Sequence, residues 1–392
     1  MMKSKPHIYI VATEKSGDEL GAKLASALKA ETHSDIKLSG IGGIAMQRQG
    51  LTSPVDIAPL SILGFVEALK SYPIILDRVW QSVNFIMESG ADAVVLIDSW
   101  GFMVRVAKRL RKKGYHGKII KYVAPQVWAM REGRAKILAN SVDHLLTIHL
   151  FDAPFFTKYG LETTYVGNSV LDEEYDTGDA LALRKTYDID KGQPVLCVLF
   201  GSRLSEIQKL AEPFANTIAI LKQNMPNLAI ISPVSDSILE DVLAAAAEHS
   251  DLQDVIMLGE ERKLDCFATA NAALACSGTV TTQLASAGVP SIVTYKLNAL
   301  TYYVAKKLYK PDHMSIVNIA AGQRLMPEFL QSECTGDKMA KALLHILQSP
   351  ELQQETSKKL RQAVQKMRDG KVTKDGVQSN ICAARAVLNL IS

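Results

Sequence analysis

The chain has 392 residues, a length that predicts two domains of ordinary size. Lysine and arginine total 44 against 41 aspartates and glutamates, a balance too even to indicate a nucleic-acid-binding protein. The five cysteines lack metal-ligand spacing and predict reduced thiols in the cytoplasm. No apolar run approaches the roughly 20 residues of a transmembrane helix, so we expect any membrane contact to be peripheral.

Short apolar runs alternate with amphipathic segments along the first half of the chain. Strands are predicted at His7–Ala12, Ala93–Ile97 and Lys118–Val123, with helices over Gly17–Ala30 and Phe102–Lys113. Apolar strands separated by helices are typical of a parallel sheet covered on both faces.

The same pattern restarts near residue 190, after the polar segment Leu171–Gln193, where we place the domain junction. The predicted domains are residues 1–170 and 171–392, an α/β protein of two Rossmann-like parallel-sheet units facing a cleft. The helical pattern of Gln353–Leu390 predicts a C-terminal segment that packs back across the first domain. The strands predicted in this half are Pro194–Phe200, Leu228–Ser232, Val255–Met257, Ala272–Ala275 and Ser291–Thr294, with a helix over Glu206–Asn224.

In open α/β sheets, ligands bind beyond the carboxyl ends of the strands, so the loops after the predicted strands are the candidate sites. After the first strand come Glu14, Ser16, Gly17 and Asp18, a helix start suited to an anion. The alternative is that Ser16 or Asp18 is an ordinary helix N-cap.

Asp98 follows the apolar strand Ala93–Ile97. A carboxylate at the mouth of the sheet is partly desolvated and can accept a proton from a substrate hydroxyl, which makes Asp98 the candidate general base; a structural aspartate is the alternative. After the next strand, Trp128 is expected to pack in the core, and Arg131 and Arg134 share one face if that segment is helical.

Two loops of the second half suit a nucleotide diphosphate. Gly201, Ser202 and Arg203 combine a flexible turn, a hydroxyl and a guanidinium that can bind phosphate oxygens in a bidentate manner. The second loop offers hydroxyls and free N–H groups at a helix start, and one turn later the amide of Gln283 can reach a ribose hydroxyl. That second loop consists of Ser277, Gly278 and Thr279.

Two features suggest a membrane or a lipid. The basic run from Arg105 to Lys113 is either a solvated helix face or a surface attracted to anionic lipid. The dense apolar segment Leu60–Trp80 is either a core helix or a surface that holds acyl chains or touches the membrane. Its candidate lipid contacts are Leu63, Phe65, Val66 and Leu69.

Taken in order, the motifs in and around these loops resemble those of the lipid-A-disaccharide synthases, and the resemblance extends over almost the whole chain. The motifs that carry the resemblance are Glu14-x-Ser16-Gly17-Asp18, Gly40-Ile41-Gly42-Gly43, Leu63-Gly64-Phe65-Val66-Glu67-Ala68-Leu69, Ile97-Asp98, Tyr122-Val123-x-Pro125-x-Val127-Trp128-Ala129, Val166-Gly167, Gly201-Ser202-Arg203-x-x-Glu206, Ser277-Gly278-Thr279, Tyr295-Lys296, Asn318, Pro327-Glu328 and Gln331.

The resemblance implies an inverting glycosyltransferase of the GT-B fold. It implies transfer of 2,3-diacylglucosamine from UDP to 2,3-diacylglucosamine 1-phosphate (lipid X), which forms a β-1′,6 disaccharide at the cytoplasmic face of a Gram-negative inner membrane. Asp98 and Arg203 would be catalytic, while Glu206 and Asn318 would join the loop residues named above in binding substrate. Neither a metal nor a cofactor is expected, and a homodimer is left open.

The chain departs from the family pattern at several positions, which are Thr13, Lys15, Ser99-Trp100-Gly101, Asn168-Ser169, Phe200, Gln283 and Val317. These departures keep two alternatives open: an enzyme resembling the UDP-sugar 2-epimerases, and a catalytically impaired relative that binds lipid or nucleotide sugar.

Overall fold

The computed structural model describes residues 5–58, 72–297, 302, 309, 311–368 and 377–391. The chain forms two compact units: Met1–Ser169 together with Asp369–Ser392, and Val170–Arg368.

The first unit is built on a six-stranded sheet in the order β2-β1-β3-β4-β5-β6, in which every pair of neighbours is parallel. Its strands are β1 (His7–Val11), β2 (Lys37–Ile41), β3 (Ala93–Ile97), β4 (Lys118–Tyr122), β5 (His144–Thr147) and β6 (Glu162–Tyr165). Its helices in the described residues are α1 (Lys15–Glu31), α2 (Ile44–Arg48), α3 (Tyr72–Ser89), α4 (Trp100–Lys112), α5 (Gly133–Ala139) and α6 (Ala153–Thr157).

Helices cover both faces of this sheet, and this explains why β1 and β3 are apolar along almost their whole length. Along β1, Ile8 and Ile10 belong to one buried cluster, while Tyr9 and Val11 belong to the cluster on the opposite face. Successive side chains of a strand point to opposite faces, so a strand covered on both sides is mostly apolar.

The second unit contains another six-stranded, wholly parallel sheet, in the order β12-β11-β10-β7-β8-β9. Its strands are β7 (Val195–Leu199), β8 (Ala229–Val234), β9 (Ile256–Gly259), β10 (Ala272–Cys276), β11 (Ser291–Tyr295) and β12 (Glu328–Leu330). The helices described in this unit are α7 (Ala180–Thr186), α8 (Leu204–Asn224), α9 (Leu239–Glu248), α10 (Lys263–Thr269), α11 (Thr279–Ala287), α12 (Ile316–Ala321), α13 (Gly336–Leu347) and α14 (Pro350–Arg368).

The C-terminal helical pattern is divided between two helices. The helix α14 lies in the second unit, whereas α15 (Ser379–Asn389) packs on α1 of the first. Ala383 and Val387 are fully buried in the same cluster as Leu24, and Arg385 forms an ion pair with Glu31 at 2.7 Å. The predicted α/β fold class with two parallel-sheet domains is confirmed.

Each sheet has one point at which the strand order reverses. In the first unit the chain passes from β1 outward to β2 and returns on the other side of β1 at β3; in the second it returns to β10 on the other side of β7. At such a reversal the loops leaving the two adjacent strands diverge to opposite faces and leave a crevice for a ligand. The candidate sites are therefore the loops after β1 and β3, and those after β7 and β10.

Within the described residues, we find no helix that combines the length and apolar character needed to cross a membrane.

Candidate functional site

Asp98 is the first residue after β3, at the reversal point of the first sheet, and it is half-buried. Its backbone has φ of 49°, that of Ser99 has φ of 37°, and Val123 after the neighbouring β4 has φ of 72°. Non-glycine residues rarely adopt positive φ, and a β-branched valine does so only where the surrounding structure enforces it. Strain is thus concentrated where the candidate base lies.

Lys121 bonds to both of these strained turns, the one at Asp98 and Ser99 and the one at Val123. It is 2% exposed on β4, with Leu96 and Leu145 opposite it on the adjacent strands. Its Nζ donates to the carbonyl oxygen of Asp98 at 2.7 Å and to that of Tyr122 at 2.9 Å. These carbonyls immediately precede Ser99 and Val123, so one ammonium fixes the peptides on which both turns depend.

Burial lowers the pKa of Lys121 to about 7, against the opposing attraction of Asp98 and Glu14. The Asp98 backbone carbonyl is bonded to this amine, and the negative charges of Asp98 and Glu14 both oppose the effect of burial. The structure therefore brings together Asp98 and Glu14, two of the residues predicted from the sequence, around a lysine that the sequence analysis did not single out.

The other predicted residues of the first loop are differently placed. Ser16 is exposed and Gly17 is buried, where a Cβ would meet Ala12 and Ile97 at ordinary contact distances. The Asp18 carboxylate is buried and accepts three backbone N–H groups at the start of α2, from Gly43 at 2.7 Å, Ala45 at 2.8 Å and Met46 at 3.1 Å. Asp18 thus ties α1 to α2.

Gly201 lies at the reversal point of the second sheet, just after β7. Its φ is 112°, and a Cβ at this position would lie 2.6 Å from Glu206 Oε2, so the turn requires glycine. The same Oε2 accepts the N–H of Ser202 at 3.0 Å. Glu206 therefore shapes the loop from the first turn of α8.

Arg203 leaves this loop with its side chain 66% exposed, and its Nη1 lies 3.6 Å from Glu206 Oε1. Although the Glu206 side chain is only 13% exposed, the Arg203 guanidinium lies largely in solvent, where an ion pair at this distance contributes little to stability. This geometry suits recruitment of an anion.

Ser277, Gly278 and Thr279 connect β10 to α11, on the other side of the same reversal point. Ser277 N–H donates to Thr294 O at 2.8 Å, which anchors the loop to β11, while Gly278 and Thr279 are exposed at the helix start. A Cβ on Gly201 would approach Cys276 Sγ within 3.3 Å, so the two loops predicted to bind diphosphate lie side by side.

Gln283 and Asn318, both predicted to bind substrate, make contacts inside the second unit. The Gln283 amide donates to Tyr175 Oη at 3.3 Å, and Tyr175 donates to Glu173 Oε2 at 2.9 Å. Asn318 is fully buried and bonds Met326 through both its amide atoms, and its Nδ2 also donates to Glu328 at 2.8 Å.

The predicted lipid contacts Leu63, Phe65, Val66 and Leu69 lie outside the described residues. The adjoining helix α3 buries Val79 and Val83 against the sheet, while Tyr72, Ile74 and Trp80 are exposed, Trp80 to 57%. Its described part therefore combines a core face with an exposed apolar face.

Several departures from the family pattern have structural roles. Phe200 is buried and packs on Phe214 with ring centroids 5.5 Å apart. Val317 uses its N–H to donate to Ser315 Oγ at the start of α12, a bond that a proline could not form. Asn168 and Ser169 are the last two residues of the first unit before the chain enters the second unit at Val170. Gly101 lies in the first turn of α4, where its carbonyl accepts from Arg105.

Two further titratable residues that the sequence analysis missed, His149 and Asp152, follow β5. Burial raises the pKa of Asp152 to about 7, and burial lowers the pKa of His149 to about 4. His149 stacks on Phe151, which meets Trp128 edge-on at 5.4 Å. The loops after β4 and β5 therefore form a closely packed aromatic platform, although sequence spacing gives no signal that joins them.

Comparison with known proteins identifies the same family as the motifs. The profile of the lipid-A-disaccharide synthetase family matches residues 8–382. The lipid-A-disaccharide synthase of Paramagnetospirillum magneticum is 40% identical over 342 residues, which cover 87% of each chain. That of Rhodospirillum centenum is 36% identical over 385 residues, which cover 98% of this chain and 94% of the relative.

Among solved structures, a UDP-GlcNAc 2-epimerase of Neisseria meningitidis bound to UDP-GlcNAc superimposes with a TM-score of 0.61. The match covers 98% of both chains at 11% sequence identity. A similarity at this level of identity shows a common fold.

Proposed function

Because the chain belongs to the lipid-A-disaccharide synthase family of glycosyltransferases, we propose that it joins two acylated glucosamines. The donor is UDP-2,3-diacylglucosamine, and the acceptor is 2,3-diacylglucosamine 1-phosphate (lipid X). The products are the β-1′,6 disaccharide and UDP. The observation that carries this proposal is Asp98, held on a strained turn at the reversal point of the first sheet.

In this proposal Asp98 accepts the proton of the acceptor's 6-hydroxyl as its oxygen attacks the anomeric carbon of the donor. A base contributes only if it is positioned at the hydroxyl, and the two backbone carbonyls bonded to Lys121 fix the turn that carries the carboxylate. The attack displaces UDP in a single step and therefore inverts the anomeric configuration.

The leaving UDP develops negative charge, which the second unit is equipped to stabilise. Arg203 provides an exposed guanidinium, and the adjacent loops at Gly201 and Ser277 provide hydroxyls and backbone N–H groups near helix starts. Donors held in place before the reaction stabilise this charge without reorganising. Glu206 keeps the Arg203 loop in shape through Ser202.

The proposal includes peripheral contact with the cytoplasmic face of a Gram-negative inner membrane, where diacylated sugars reside. Tyr72, Ile74 and Trp80 on α3 expose apolar surface, and Lys108 and Lys112 are exposed on α4, which packs against α3. Apolar side chains beside basic ones suit an anionic bilayer surface.

The direct test is stoichiometric release of UDP by the purified protein in the presence of both sugars. We expect one UDP for each disaccharide formed, and no release when either sugar is omitted. UDP release without an acceptor, or folded protein that releases none, would reject the proposal.

The second candidate function is epimerisation at C2 of a UDP-sugar, which the fold of the Neisseria meningitidis enzyme favours. Exchange of the C2 hydrogen with solvent, without disaccharide, would support it. A third candidate is a non-catalytic binding protein, and UDP binding without turnover of any acylated sugar would support that one.

A further inference from the structure

Two arginines in the segment that follows β4 have no role in the mechanism described above. Arg131 is exposed in the loop after β4, with a φ of 57°, and Arg134 is half-buried in the first turn of α5. The Arg134 guanidinium lies over the ring of Trp100, 5.3 Å from its centroid. This cation–π contact fixes the position of one guanidinium while its N–H edges stay available to a ligand.

The two guanidinium groups carry uncompensated charge. In the part of the chain that the structure describes, neither forms an ion pair or a side-chain hydrogen bond, and the intervening Glu132 is paired with Lys158. Burial lowers the pKa of Arg134, and the positive charge of Arg131 lowers it further. Two like charges held together without a carboxylate are unfavourable in the empty protein, and an anion of high charge would relieve the repulsion.

The position of this pair relative to Asp98 indicates which anion it would bind. Trp100, under Arg134, is only two residues beyond Asp98, so their Cα atoms are within about 7 Å. In a glucosamine 1-phosphate, the phosphate on C1 and the hydroxymethyl group on C5 flank the ring oxygen. An acceptor whose 6-hydroxyl reaches Asp98 therefore carries its phosphate within one sugar ring of the base.

We propose that Arg131 and Arg134, with Trp100 stacked on Arg134, form the binding site for the phosphate monoester of the acceptor sugar. The proposal rests on the function proposed above. The three residues determine which sugar is accepted: the phosphate binds to the two guanidiniums, and the ring is thereby oriented with its 6-hydroxyl towards Asp98. A phosphate diester of a membrane lipid offers similar chemistry, so the test must separate the two sources.

The test compares Arg134→Gln and Arg131→Gln with Lys136→Gln, which removes an exposed charge from the same helix α5 and leaves the pair intact. Detergent-dispersed acceptor is used, and the KM values of donor and acceptor are measured separately. We expect each arginine variant to raise the acceptor KM about tenfold or more, the size of a lost charge-assisted hydrogen bond, with the donor KM within about twofold. Lys136→Gln should leave both values unchanged.

A second arm uses the acceptor without its phosphate as a competing ligand. Its inhibition constant should be the same for wild type and Arg134→Gln, because this ligand has no phosphate for the arginines to bind. Equal losses for the two ligands, or an unchanged acceptor KM, would overturn the proposal. So would weaker binding to phosphatidylglycerol vesicles with an unchanged acceptor KM, which would assign the arginines to membrane lipid. A wild-type protein that forms no disaccharide would instead reject the proposed function.

Discussion

At the scale of single residues, the backbone of Asp98 and Ser99 carries the main functional signal. Two consecutive non-glycine residues at positive φ cost free energy, on the order of 1–3 kcal/mol each. Lys121 helps to offset this cost because it bonds the carbonyl that joins the two residues. The strain is therefore maintained by a specific contact.

The first prediction concerns Asp98→Asn. The amide keeps the size of the side chain but cannot accept the proton, so we expect turnover to fall by about 10²–10⁴-fold. The affinity for UDP, measured by calorimetry, should stay within about twofold, because the loops predicted to bind diphosphate belong to the other unit. The matched control is Asp92→Asn, just before β3. Near-normal turnover of Asp98→Asn would remove it as the base.

The second prediction concerns the pH dependence of stability contributed by Lys121. Burial lowers its pKa in the folded protein to about 7, from an ordinary value of 10.5. Below about pH 7 both folded and unfolded forms are protonated, and the penalty for burying the charge is fully present. Between about 7 and 10.5 the unfolded form binds more protons, so unfolding free energy rises with pH, by at most about 1.4 kcal/mol per unit.

Lys121→Met lacks this pH-dependent contribution to the unfolding free energy. The Tm of the wild type should therefore rise relative to that of the variant as the pH is raised from 7 to 9. One kcal/mol corresponds to about 2–4 °C for a unit of this size. Lys108→Met, at an exposed position, should show no such trend. A constant Tm difference between wild type and Lys121→Met across this range would contradict the pKa assigned to the buried amine.

Individual residues also show what sequence alone could not predict. Asp98 directly follows an apolar strand and Arg203 lies in the loop after another, so both candidates could be proposed from strand ends that the sequence shows clearly. Asp18 and Asn318 are polar residues in family motifs, yet their side chains bond backbone groups 25 and 8 residues further along the chain. Such partners are defined by tertiary packing, so the sequence could not distinguish binding to a ligand from bonding within the fold.

At the scale of elements, most central strands were predictable, whereas three of the four edge strands were not. Ala93–Ile97 was predicted with the bounds that the structure gives, because it is buried on both faces. The strands β2 and β6 lie at sheet edges, where exposed and half-buried polar residues interrupt the apolar run, while β12 has only three residues and β5 only four. Short or edge strands lack the periodicity on which a prediction depends.

The third prediction concerns α3, whose exposed apolar face suggests a membrane contact. Trp80→Ser should weaken binding to vesicles containing phosphatidylglycerol by about tenfold, the value of burying a large apolar side chain. The control is Leu181→Ser on α7 in the second unit, which removes an apolar side chain that is 76% exposed. Co-sedimentation would measure both. Equal binding of Trp80→Ser and wild type would place the membrane contact elsewhere.

At the scale of the whole molecule, the proposed function assigns the base to the first unit and the diphosphate-binding loops to the second. The first unit presents Asp98 and Glu14 around Lys121, and the second presents the Gly201 and Ser277 loops. The prediction of two parallel-sheet domains needed only the alternation of apolar runs and helices. The strand order brings the loops after β1 and β3 together, and likewise those after β7 and β10. This order depends on tertiary packing, which the alternation of apolar runs and helices does not reveal.

The most direct test of the central claim is one incubation of the purified protein with lipid X and UDP-diacylglucosamine deuterated at C2 of the sugar. Mass spectrometry and NMR of the product would report the linkage and the label together. The proposed glycosyl transfer predicts a β-1′,6 disaccharide 1-phosphate that retains all of its deuterium, because no bond at C2 is broken. Loss of deuterium to solvent without disaccharide would contradict the proposal and support an epimerase.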